Sequence, residues 1–197
     1  TSDNVPSAAM IKNSNNEDVT ASYAITYANG TLEVTQKPIT ITADSDTKIY
    51  DGSALTKNSY TNTALATGDS IASVTITGSQ TNVGSANNVP SAAVIRNGDV
   101  DVTADYDITY VNGTLEVTAK TVTVKANNAG KTYGEADPDL SATVTGLVGN
   151  DTVNYTIARA TGADAGEYTI TPSGEVTQGN YRVTYETGTF TVSRANL

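Results

Sequence analysis

The sequence predicts an all-β chain built from tandem small domains, and three observations carry that prediction. The strand formers Thr, Val, Ile and Tyr dominate, with Tyr at 11 against a single Phe and no Trp, while charged helix formers are sparse. Short alternating stretches are separated by clusters of Gly, Asn, Asp and Ser, the residues that make turns. The chain also copies itself, which is the mark of a repeat architecture. "NVPSAAMIKN" (Asn4 to Asn13) returns as "NVPSAAVIRN" (Asn88 to Asn97), and "ITYANGTLEVT" (Ile25 to Thr35) returns as "ITYVNGTLEVT" (Ile108 to Thr118). A looser copy, "VTYETGTFTVS", closes the chain at Val183 to Ser193.

The copies set a frame of a half unit over 1–36, a full unit over 37–118 and a second full unit over 119–197. The half unit reads as the C-terminal half of a truncated repeat, with apolar faces and strand edges left open. Each full unit starts on a strand that alternates apolar residues with Thr, "ITITAD" from Ile39 and "TVTVKAN" from Thr121, the period of a half-buried strand. "SIASVTIT" from Ser70 and "DTVNYTIA" from Asp151 are the next strands, followed by "SAAVIR" from Ser91 and "EYTITP" from Glu167. "DPDLSATV" from Asp137 has room for one helical turn, and no long helix is expected anywhere. Almost no linker separates Thr118 from Lys120, so the units are expected to form an elongated rod rather than freely jointed beads.

The copied segment itself reads as a hairpin. Asn112-Gly113 between alternating runs fits a type I′ turn, whose two central positions need positive φ. That turn would set Tyr110 opposite Leu115 and Ile108 opposite Val117 on one face, with Thr109 and Glu116 on the other. Tyr27–Leu32 and Ile25–Val34 repeat the pattern, and Tyr185–Phe190 with Val183–Val192 follow it around Thr187-Gly188. The copies are therefore expected to be scaffold, which pushes any binding toward the variable loops.

Charge and residue inventory exclude several functions. Lys+Arg 11 against Asp+Glu 21 gives a net charge of -10, with no basic cluster to replace the counterions of a nucleic acid or to meet an anionic membrane. The chain has no Cys and no His, so disulfides, thiolate chemistry and the commonest general base are absent. The acids are scattered and no unit is large enough to hold a deep cleft, so the chain is expected not to be an enzyme. No apolar run is long enough for a membrane helix. One acidic stretch, "NGDVDVTADYD", gathers Asp99, Asp101, Asp105 and Asp107; oxygen ligands in that number are what calcium takes, although the spacing departs from the EF-hand loop. These four are the candidate metal residues, and no other cofactor is expected.

"ADAGEYTI" (Ala163 to Ile170) places Asp164, Gly166 and Tyr168 as in a tyrosine corner, which favours an Ig-like β-sandwich, with a β-grasp-like fold as the alternative. Lys48, Tyr50, Asp51 and Gly52, the entry Lys131 to Gly134, and the closing Y-x-x-G-T-[LF]-x-V resemble the YDG and MBG repeats of large bacterial surface proteins. On that resemblance 37–118 is a YDG-like unit and 119–197 an MBG-like unit. It implies an extracellular place, on a bacterial surface or secreted, in a stalk or adhesive segment whose partners are neighbouring repeats and host or matrix glycans. A self-assembling filament of like chains completed by strand exchange, and a glycan-binding module of a secreted enzyme, are the other two readings.

Overall fold

The structure is a computed structural model, and it describes residues 1–196. Eighteen strands and two 3-10 turns make up its regular elements. The half unit holds β1 (Ser2–Asn4) and β2 (Gly30–Leu32), paired antiparallel. The first full unit runs β3 (Lys37–Ala43), β4 (Asp46–Ile49), β5 (Tyr60–Asn62), β6 (Asp69–Thr77), β7 (Gly84–Asn97), β8 (Val100–Asp101), β9 (Tyr106–Val111) and β10 (Gly113–Thr118). The second runs β11 (Lys120–Ala126), β12 (Ala129–Thr132), β13 (Ala142–Thr145), β14 (Thr156–Arg159), β15 (Gly166–Ser173), β16 (Thr177–Gln178), β17 (Tyr181–Glu186) and β18 (Gly188–Ser193). The all-β expectation holds. No helical turn forms in "DPDLSATV", and the 3-10 turns lie at Thr20–Ser22 and Thr103–Asp105.

Both full units follow one topology. In the first, one sheet has the order β5-β3-β9 and the other β4-β10-β7-β6, with β8 on β7. In the second, β13-β11-β17-β16 faces β12-β18-β15-β14. The opening strand pairs parallel with the last but one, β3 on β9 and β11 on β17, and the next strand pairs parallel with the last, β4 on β10 and β12 on β18.

This topology overturns the predicted hairpin. β9 and β10 flank Asn112-Gly113 yet lie in different sheets, so Ile108 pairs with Ile39 and Tyr110 with Ile41, while Leu115 and Val117 pair with Ala86 and Gly84 on one side and Asp46 and Lys48 on the other. β17 and β18 part in the same way around Thr187-Gly188. Neither Asn112 nor Gly113 has positive φ, so a type I′ turn is not formed. The glycine serves close approach instead. A Cβ on Gly113 would sit 2.4 Å from the Asp44 carbonyl oxygen and 2.6 Å from that of Ala43, and one on Gly188 would sit 2.7 Å from the Ala126 oxygen. Two chain segments thus turn the same corner side by side, in unbroken register. The inner one has no space for a side chain at that point. Ser45 Oγ and Asn128 Oδ1 tie the corners by accepting the N–H of Thr114 and Thr189.

Burial follows the alternation read from the sequence. Ile39, Ile41, Ala93, Ile95 and Tyr106 form one core in the first full unit, and Ala126, Ile170, Phe190 and Val192 form another in the second. The largest cluster spans the two units, with Tyr50, Leu55, Leu115 and Val117 packed with Val122, Val124, Tyr181 and Val183.

Candidate functional site

The four predicted metal residues do not converge. Asp99, Asp101, Asp105 and Asp107 are exposed and belong to a turn, to β8, to a 3-10 turn and to β9. The Asp101 carboxylate accepts the Thr103 N–H at 2.9 Å, and hydrogen bonding from the Thr103 side chain first, then from that N–H, holds its pKa below the ordinary 3.8. The first copy does the same with Asp18 and Thr20, at 2.9 Å. Among the described residues no group of three or more acids could hold a metal ion. Of the four, the Asp101 carboxylate closes a turn.

The tyrosine-corner reading is met locally. Tyr168 Oη donates to the Asp164 carbonyl at 2.8 Å, and its ring lies against Gly162, where a Cβ would come within 1.9 Å. Arg159 lies over this ring and over Phe190, 5.3 Å and 4.6 Å from the two centroids. Asp137 binds Arg159 Nε at 2.5 Å and Lys131 Nζ at 2.8 Å, and those cations pull its carboxyl down to about 2.

A second tyrosine device was not read from the sequence. Tyr181 Oη donates to Asp151 Oδ2 at 2.6 Å and accepts the Val148 N–H at 2.9 Å. Tyr106 repeats it, donating to Asp69 Oδ2 at 2.5 Å and accepting the Ala66 N–H at 3.0 Å. Each Asp closes a turn that begins just after a Leu, "LATGD" at Leu65 and "LVGND" at Leu147, with Asp69 N–H on the Ala66 carbonyl and Asp151 N–H on that of Val148. Burial first, and then the neighbouring carboxylate, push both phenols above their ordinary 10. The paired Leu-x-x-x-Asp was the available signal. It was hidden because the Tyr follows its Asp by 37 residues in one unit and 30 in the other.

In the second full unit this device builds the joint between units. Tyr50, at the end of β4, meets the Tyr181 ring edge-on with centroids 5.5 Å apart, and its hydroxyl donates to the same Asp151 oxygen at 3.2 Å. Asn180 binds the facing loop twice, accepting the Val83 N–H at 2.8 Å and donating to Asn82 Oδ1 at 3.1 Å. Gly52 brings the chain so close that a Cβ there would stand 3.0 Å from Val148. Tyr133 holds the place of Tyr50 in the second full unit: its N–H binds the Ser193 carbonyl as that of Tyr50 binds Thr118. It is 53% exposed, against 8% for Tyr50.

Beside the joint lie two grooves of about 630 and 530 Å³ that share Asn154, Gln178 and Gly179. Their central amide is already engaged. Gln178 accepts the Asn154 N–H at 2.7 Å and donates to the Asn154 and Glu175 carbonyls at 2.8 and 2.9 Å.

Residues 122–191 match the family model of the MBG domain, YGX type. The match covers most of the second full unit and about a third of the chain, and it agrees with the MBG/YDG resemblance. No curated protein and no solved structure matches the chain significantly.

Proposed function

Starting from a second full unit that matches an MBG domain of the YGX type, we propose that this chain is a non-catalytic stalk segment of a bacterial cell-surface or secreted adhesin. Its task is mechanical: to hold repeats at a fixed angle so that a distal part stands away from its anchor. The observation that carries this reading is the joint. A core continuous from Leu115 to Val183, sealed by Tyr50, Asp151 and Tyr181, supports a stiff connection rather than a loose one. The repeat-module character of MBG domains supports the setting, and the absence of His and Cys agrees with a role without chemistry.

Small-angle scattering of the whole chain tests it. The expected profile fits one fixed arrangement of the two full units, and Asp151→Ala should broaden the distance distribution by loosening the joint. A wild-type profile that needs an ensemble of inter-unit angles would overturn the stalk reading. Turnover of a glycoside by the purified chain would overturn the non-catalytic one.

A further inference from the structure

The first and last segments of each full unit form one ladder, and its direction decides how the unit meets a pull. Segment 37–49, which opens the first full unit, runs parallel to segment 106–118, which closes it. Lys37 lies opposite Tyr106 at one end of the ladder, and Ile49 lies opposite Thr118 at the other. The corner between them breaks no register. Ser45 and Thr114, bonded across it, stand 69 residues apart, and the same separation holds along β3 on β9 and β4 on β10. The second full unit repeats the arrangement with 120–132 on 181–193, from Lys120 opposite Tyr181 to Thr132 opposite Ser193.

Tension along the chain enters the first full unit at Lys37 and leaves it at Thr118, at opposite ends of that ladder. The inter-strand hydrogen bonds then lie across the pull and share it, so none opens before its neighbours. Gripped at Lys37 and Tyr106 instead, the same ladder would open pair by pair.

Two features oppose sliding of one segment past the other. A slip of one residue would turn Ile39, Ile41, Leu115 and Val117 out of the cores that bury them. The corner adds a steric stop. Pulling 106–118 toward its C-terminal end draws Asn112 toward the place of Gly113, where even a Cβ would sit 2.6 Å from the Ala43 carbonyl oxygen. Thr187 would be drawn in the same way toward the place of Gly188, 2.7 Å from the Ala126 oxygen.

We propose that each full unit is a mechanical clamp, a module whose first and last segments are locked in shear so that it stays folded under tension along the chain. The proposal rests on the stalk reading for the source of that tension, namely drag on whatever the stalk holds away from its anchor. The resistance itself comes from the ladder. Load passes almost directly from one clamp to the next, because Ala119 alone separates β10 from β11.

Single-molecule pulling on the whole chain tests the clamp. The chain has no Cys, so introduced cysteines are unique handles. Gln36→Cys with Ala119→Cys loads the first full unit along the ladder, and Gln36→Cys with Asp105→Cys loads it from one end. All three positions are exposed. Rupture along the ladder is expected at a severalfold higher force than rupture from its end, in one step that releases roughly 200–250 Å of chain. A denaturation midpoint common to the two variants would show that the difference is one of direction. Equal forces in the two directions, or gradual yielding along the ladder, would overturn the clamp. Clamp and stalk fail separately: equal forces leave a rigid scattering profile standing, and an ensemble of inter-unit angles leaves the force ratio standing.

Discussion

Single atoms decide much of this fold, and glycine shows it most directly. Gly30, Gly113 and Gly188 occupy one position in three copies but meet different surroundings. Alanine at Gly113 or Gly188 must push a backbone carbonyl, which costs about 1–3 kcal/mol. Alanine at Gly30 meets only the Asn4 side chain at 3.6 Å and should be neutral in the free chain. Chemical denaturation of the three variants checks this, and equal effects would contradict the corner account. Asn88 is a second such atom set. Its buried amide donates to the Asp44 and Lys57 carbonyls at 2.9 and 2.8 Å, so Asn88→Ala should destabilise by about 1–3 kcal/mol by leaving both unpaired. Asp137 gives the acid limb. Its pKa is lowered from 3.8 to about 2 in the folded state, so its stabilisation is complete above 3.8 and is lost as pH falls toward 2. Asp137→Asn should flatten acid unfolding in that window, and added salt should shrink the difference, since this carboxylate is half-exposed. An unchanged acid limb would refute the role.

At the scale of elements, the sequence was legible wherever local pattern and tertiary demand agreed. The alternation in "ITITAD" and "TVTVKAN" marks β3 and β11 because one face of each is buried, at Ile39 and Ile41 and at Val122 and Val124. Asn112-Gly113 misled because its turn chemistry is local, whereas the parallel pairing of β3 with β9 and β4 with β10 joins residues far apart in the chain. The short strands β4, β5, β12 and β13 carry too few residues to show a period. The tyrosine corner was visible because Asp164 and Tyr168 are close in sequence; the Tyr106–Asp69 and Tyr181–Asp151 pairs were not, for the opposite reason. Both pairs predict a readable titration. With their phenol pKa values raised above 10, Tyr106 and Tyr181 should ionise late. The stability they contribute is present below pH 10 and lost as pH rises past it. Tyrosinate absorbance should show two late groups, one in Tyr181→Phe; a wild type without late groups would refute the assignment.

The whole molecule has uneven stability, and the location of its cores predicts how it comes apart. The two full units share the cluster from Tyr50 to Val183, so opening either exposes apolar surface of both. They should unfold in one transition, and Asp151→Ala should split it by leaving the Tyr50 and Tyr181 hydroxyls without their shared acceptor. The half unit contributes no buried residue to any core cluster, and its β1–β2 pairing stands on three residues a side. Its amides should therefore exchange with solvent orders of magnitude faster than those of β7 and β10, although the two segments share sequence and hydrogen bonds. Hydrogen exchange of the intact chain compares the copies directly. Similar protection at Thr31 and Thr114 would mean that local bonds, not the covering half, stabilise a repeat.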